Sequence, residues 1–184
     1  MATLVEIVPY DQNWPRLFSA AESKLRQLLG SMAVGIDHIG STSIPAMPAK
    51  PILDIDITLR GLSDVPIASA ILTSAGYQPR GNRYHDDVWA FMKHDSVPKQ
   101  RVYLCLPENE THMRRVIFRD YLRAHADIAE AYSSLKMQLA RRFPYDGDRY
   151  TAEKSGFITE IVRLAQPAVS GSEAVTSTGW STNR

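Results

Sequence analysis

His38-Ile39-Gly40-Ser41-Thr42-Ser43, followed by Pro51-Ile52-Leu53-Asp54-Ile55-Asp56-Ile57-Thr58-Leu59, is the stretch whose reading decides the fold. The second segment alternates from Leu53 to Ile57, as a strand with two unlike faces does. Asp54 and Asp56 then share one face, and Leu53, Ile55 and Ile57 the other. Cα atoms two apart on a strand lie roughly 6.5–7 Å from each other, so two such carboxylates can converge on a hard cation such as Mg²⁺. Like charges so placed repel unless something neutralises them. The alternative is an edge strand with a solvated acidic face. The strand alone leaves both readings open.

The first segment adds a turn. Val34 to Ile39 reads as a strand that Gly40-Ser41-Thr42-Ser43 breaks. Glycine permits close backbone approach to a phosphate, and the neighbouring N–H groups and hydroxyls donate to its oxygens. The Gly-x-x-x-x-Gly-Lys-Ser/Thr pattern of a Walker loop is absent. An ordinary loop has the same composition. The spacing, with Asp-x-Asp starting twelve residues after Thr42, makes the pair more specific than either half.

Working outward, 184 residues with 44% hydrophobic content suit one globular domain with a sizeable core. A net charge of +1 supplies no global field for nucleic acid or acidic membranes. The single cysteine, Cys105, precludes an intrachain disulfide and fits a reducing, cytoplasmic setting. Its apolar strand makes it a packed hydrophobe. No basic-apolar leader and no apolar window of membrane-helix length is visible.

Leu4 to Val8 reads as a short strand or extended arm. Asn13 is a candidate N-cap with Pro15 in the first turn, and Leu17, Ala21, Leu25, Leu28 and Leu29 form a helical stripe ending at Gly30. A second helix covers Ser63 to Ala75 and closes at Gly76. Val88 to Lys93 and Arg101 to Leu106 read as a hairpin around Asp95-Ser96-Val97-Pro98. Three helices follow at about 109–125, 127–143 and 147–165, with Asp127 a candidate N-cap and Ile128, Tyr132, Leu135, Leu139 and Phe143 an apolar stripe. The expectation is an α+β domain over residues 1–165, a small mixed β-sheet packed by helices with a C-terminal helical segment. Residues 166–184, rich in Ser, Thr and Gly, are expected to form a disordered tail in which Trp180 is incidental.

Gly40-Ser41, the spacer and Asp54-Ile55-Asp56 resemble the signature of the nucleotidyltransferase (polymerase-β-like) superfamily. More closely, the chain resembles the GrpB family. The resemblance rests on Val5-Glu6-Ile7-Val8-Pro9-Tyr10-Asp11 with Trp14-Pro15, His38-Ile39-Gly40-Ser41-Thr42, Ala49-Lys50-Pro51-Ile52-Leu53-Asp54-Ile55, Phe118-Arg119-Asp120-Tyr121-Leu122-Arg123, Tyr132-Ser133-Ser134-Leu135-Lys136 and Lys154-Ser155-Gly156-Phe157-Ile158. It spans about residues 4 to 165. It implies a nucleotidyltransferase-like fold, and some GrpB domains are fused to dephospho-CoA kinase domains. One departure stands out. The superfamily places a third carboxylate on a later strand, and the alternate positions there are Tyr103 and Cys105, neither a good Mg²⁺ ligand. Asp86, Asp87 and Glu108 are the acids that would have to swing in.

The basic residues carry paired readings. Lys154, four after Tyr150 and four before Ile158, either snorkels along apolar surface or enters a polar cavity. Lys136 lies beside its helix's apolar stripe, with a solvated face as the alternative. Lys50, at the start of the acidic strand, faces either phosphates and aspartates or solvent. Arg119 is placed to clamp an anionic substrate, whereas Arg123 is read as a surface partner of Asp120 or Glu130. His38 bonds the turn or a substrate group. His85, His94, His112 and His125 lack zinc-ligand spacing with Cys105.

Three functions follow. The first is a Mg²⁺-dependent nucleotidyltransferase moving a nucleoside monophosphate from ATP or GTP to a small acceptor. In it, Asp54 and Asp56 hold the metal; Gly40, Ser41, Thr42, Lys50, Lys136, Lys154, Arg119 and His38 line the nucleotide site. The second is a degenerate nucleotide- or cofactor-binding domain, favoured by the missing third acid. The third is a structural or interaction module with a salt-bridged Asp pair. No long basic patch interleaved with aromatics points to RNA.

Overall fold

A computed structural model describes residues 4–82 and 86–166. The expected 166–184 tail, Trp180 and His85 therefore lie outside the described residues, save for Gln166. Five strands form one mixed sheet: β1 (Ala33–Ile39), β2 (Ile52–Leu59), β3 (Gln78–Asn82), β4 (Trp89–Lys93) and β5 (Lys99–Cys105), in the order β1-β2-β5-β4-β3. Among the described residues only the β2–β5 pairing is parallel. A parallel pair needs a long crossover, and β2 reaches β5 by way of α2 (Asp64–Ser74), β3 and β4.

The apolar parity of β2 builds the main core. Leu53, Ile55, Ile57 and Leu59 are all buried against α1 (Trp14–Leu29) and α2, through Leu25 and Leu29 of the first and Ala68 and Leu72 of the second. Val102 and Leu104 of β5 join the same layer. On the other face lie α3 (Glu110–Ala124), α4 (Ala126–Arg142), α5 (Gly147–Ala152) and α6 (Ser155–Ala165). Here the helices pack mainly on one another, through Leu122, Tyr132 and Ile161 with Ile44 and Met47. No described helix is long and apolar enough to cross a membrane.

Several expectations need correction. β2 is not an edge strand: it lies between β1 and β5, and Asp56 is fully buried. The helix expected over 147–165 breaks between Ala152 and Ser155, so Lys154 sits in the junction as the N-cap of α6 rather than inside a continuous stripe. Asp127 lies in the first turn of α4, whose N-cap is His125. Asn13 occupies its N-cap position without a side-chain cap bond; its amide instead donates to Asp11. β3 carries Pro79 and Gly81 and no apolar alternation, which hid it from pattern reading. Leu4 to Val8 is extended, with Val8 bridged to Ala49.

Candidate functional site

Gly40 turns the chain at the end of β1 with φ +71°, a left-handed conformation that favours glycine. A Cβ there would stand 2.6 Å from Asp54 Oδ2, so only glycine lets the turn close over the acidic strand. Ser41–Ser43 then forms a single 3₁₀ turn. Thr42, buried, donates through Oγ1 to the Ile52 carbonyl at 3.3 Å, tying the turn to the start of β2. His38 Nε2 lies 3.0 Å from the same hydroxyl, and its ring stacks on Phe18. Burial, reinforced by Arg123 and Arg119, lowers its pKa to about 4, so the ring is neutral and braces the turn. Arg123 does not merely meet Asp120 at the surface: Nε and Nη2 both donate to the Ser43 carbonyl, at 3.0 and 2.8 Å.

The strand pairing places a third acid that the sequence reading missed. Asp37 of β1 stands directly opposite Asp56 of β2. Tyr103 of β5 flanks Asp56 on the other side. Cys105, two pairs further along, is buried beside Thr58, and burial followed by the Asp56 charge pushes its thiol up to about 12. It remains a protonated, packed group.

A basic face of α3 covers these acids. Arg115 Nη1 donates to Asp56 Oδ1 at 2.8 Å, and its guanidinium stacks 4.0 Å above the Tyr103 ring. His112 Nδ1 donates to Asp56 Oδ2 at 3.0 Å, with Nε2 3.8 Å from Asp37. Arg119 Nη1 donates to Asp37 at 3.2 Å and to the His38 carbonyl at 3.0 Å. His112, Arg115, Arg119 and Arg123 are spaced by three, four and four, one helix face. That spacing was the available signal, of which only the last two members were read. Arg101, also missed, alternates with Tyr103 and Cys105 on β5 and donates to Asp54 Oδ1 at 3.3 Å.

This donor set does not fit a divalent cation as it stands. Both oxygens of Asp56 are bonded to cationic or donor side chains, Asp54 to Arg101. Among the described residues no three His, Cys, Asp or Glu side chains converge as metal ligands. Asp54 is the more accessible acid, its side chain 23% exposed, and burial raises its pKa against the opposing pull of Arg101 and Arg115.

Asp54 opens onto a cavity of about 630 Å³ between the Gly40–Ser43 turn and α5–α6. Three lysines enter it. Lys154 and Lys50 lie 4.2 and 4.5 Å from the Tyr150 ring centroid. Lys136, far from a solvated face, is 1% exposed and donates to the Pro48 carbonyl. Burial, then Lys154, lowers Lys136 to about 7; burial, then Lys50, lowers Lys154 to about 8. Burial followed by Arg101 lowers Lys50 as well. Ser41, Thr42 and Arg101 complete the wall. The structure thus brings together the turn, Asp54, Lys50, Lys136 and Lys154, and places Asp56, Arg119 and His38 behind them as neutralised or bracing groups.

The family model described as GrpB protein matches residues 4–164. The UPF0157 protein YqkA of Bacillus subtilis is 36% identical over 154 residues, 84% of this chain and 45% of that protein, so the chain spans less than half of it. A crystal structure of GrpB from Enterococcus faecalis matches with a TM-score of 0.79 at 29% identity, over 87% of this chain and 96% of that one. Cid1 in complex with the UTP analogue UMPNPP matches with a TM-score of 0.52 at 11% identity, over 73% of this chain and 43% of that one, a likeness of fold alone. The chain therefore belongs to the GrpB family, and its mixed sheet and flanking helices form a nucleotidyltransferase-like fold.

Proposed function

We propose that the domain binds the phosphates of a nucleoside triphosphate, ATP or GTP, in the cavity beside Asp54, as a binding domain without turnover. The observation that carries this is the lysine cluster. Lys50, Lys136 and Lys154 converge on one cavity, and among the described residues none has a carboxylate within salt-bridge distance. Confining three ammoniums together opposes folding, and a polyanion relieves it. The volume suits a nucleotide, since ligand sites run from roughly 300 to 1,000 Å³. Gly40, Ser41 and Thr42 supply turn donors on the same wall. Cid1, of similar fold, holds a UTP analogue.

A second reading is Mg²⁺-dependent transfer of a nucleoside monophosphate to a small acceptor. Asp37 favours it, because it adds a third carboxylate to the Asp54–Asp56 face. It requires His112 and Arg115 to release Asp56. The binding reading is preferred because no such release is needed.

Thermal unfolding and calorimetry with ATP and GTP, each with and without Mg²⁺, test both. Binding to the native state raises its stability by about 2.7 kcal/mol at one hundred times Kd. The expected result is a shift at millimolar nucleotide in either condition, and at least tenfold weaker binding in Lys154→Ala. No shift would overturn both readings in favour of a structural module. Pyrophosphate release that requires Mg²⁺ would replace the first reading by the second.

A further inference from the structure

A second chamber, of about 390 Å³, adjoins the lysine cavity and shares Ser41, Asp54, Arg101, Tyr103, Thr151 and Lys154 with it. Its chemistry is different. Ile39 at the end of β1, Ile44 after the turn, Phe118 of α3, Tyr132 of α4 and Ile158 of α6 give it an apolar floor. Phe118 and Tyr132 meet edge to face there, their centroids 5.1 Å apart.

The rim is cationic, and its arginines are not equivalent. Arg115 is bonded to Asp56, and Arg119 to Asp37 and Asp120. Arg114 donates to Thr159 Oγ1 at 3.2 Å and has no carboxylate partner among the described residues. It sits one turn before Phe118 on the same face of α3, so its guanidinium and the aromatic floor address one volume. Of the acids that border the chamber, Asp54 accepts from Arg101, and Asp86 accepts through Oδ2 from the Thr111 hydroxyl while its Oδ1 is buried without a hydrogen-bond partner among the described residues.

We propose that this chamber binds a second ligand, a small carboxylate with an apolar or aromatic body. The body lies on Phe118, Tyr132 and Ile158, and the carboxylate accepts from the Arg114 guanidinium. The planar fork of arginine matches a carboxylate in two parallel hydrogen bonds. A polyphosphate is a poor occupant, because its several charges would be desolvated against the apolar floor. It belongs in the lysine cavity instead. The proposal goes beyond the nucleotide reading and holds whichever anion fills that cavity.

Calorimetric titration with hydrocinnamate and its uncharged analogue hydrocinnamide tests it, on the protein alone and on the protein saturated with ATP. Hydrocinnamate is expected to bind at millimolar concentration or below in both states, at least tenfold more tightly than the amide. Arg114→Met is expected to bring the carboxylate down to the level of the amide, leaving the amide and ATP affinities unchanged. Phe118→Leu is expected to weaken both probes several-fold. Equal binding of acid and amide, no binding of hydrocinnamate at millimolar concentration, or exclusion of hydrocinnamate by ATP would each overturn the proposal. Hydrocinnamate binding without any ATP binding would uphold it and remove only the nucleotide reading.

Discussion

β2 presents Leu53, Ile55 and Ile57 to α1 and α2, and Asp54, Asp56 and Thr58 to the opposite face, where Asp56 meets α3. Both faces are covered by helices. On the first, coverage removes apolar area from water, worth roughly 25 cal/mol per Å². On the second, coverage desolvates carboxylates, which is unfavourable until each is matched by a cation and hydrogen-bonded. The α3 face meets that requirement through Arg115 and His112 at Asp56. The lysine cavity does not meet it: Lys50, Lys136 and Lys154 converge there, and among the described residues none of them has a carboxylate within salt-bridge distance, the nearby Asp54 being paired with Arg101. A satisfied polar layer marks architecture, whereas an unsatisfied one marks a place for a ligand.

The largest effect expected breaks the matched layer. Asp56→Ala removes the buried acid that Arg115 and His112 share and is expected to cost about 3–5 kcal/mol, read by urea denaturation. Leu25→Ala, which opens a void on the apolar face, is expected to cost a similar 2–5 kcal/mol or so. The two faces then differ in repair. Adding Arg115→Met and His112→Leu to Asp56→Ala should recover part of the loss, while no charge change should rescue Leu25→Ala. A loss under about 1 kcal/mol for Asp56→Ala would show that its ion pairs are not structural.

Lys136→Met sharpens the contrast with the opposite sign. It removes a buried cation, so stability is expected to be unchanged or to rise by about 1 kcal/mol, while ATP affinity falls at least tenfold. The pH dependence follows the same logic. Burial pulls Lys136 from its ordinary 10.5 down to about 7 in the folded protein, and Lys154 to about 8. Between those values and 10.5 the unfolded chain binds more protons, so stability rises with pH across that window. The advantage of Lys136→Met is therefore greatest below pH 7 and shrinks as pH rises. Nucleotide affinity runs the other way, weakening as the ammoniums lose their protons. A wild-type stability profile identical to that of Lys136→Met from pH 6 to pH 10 would contradict this account of the cavity.

The smallest effect concerns the frame of the turn. Arg123→Lys replaces a fork that donates twice to the Ser43 carbonyl with a single ammonium. The expected cost is about 1 kcal/mol in stability, with a several-fold loss of nucleotide affinity from a looser turn.

Much of this arrangement was legible in the chain. The alternation of β2, the α1 and α4 stripes and the hairpin are local patterns, and the structure keeps them. Gly40 was legible as a position of close approach, although the group that approaches it is the Asp54 carboxylate. What misled were features whose meaning depends on distant partners. Arg123 reads as a surface partner of Asp120 or Glu130, yet it braces the turn, and Lys136, for which a solvated face was the alternative, is buried. Asp37 looked like any strand polar residue until pairing set it opposite Asp56.

The sequence by itself determined the α+β class, the acidic strand with its glycine turn, and the absence of a carboxylate at Tyr103, because side-chain period and residue type are local properties. Only the tertiary structure decided that the acidic face is buried, that the basic face of α3 neutralises it, and that three lysines from separated segments share a cavity. The fate of a charge depends on which groups surround it, and those come from segments far apart in the chain.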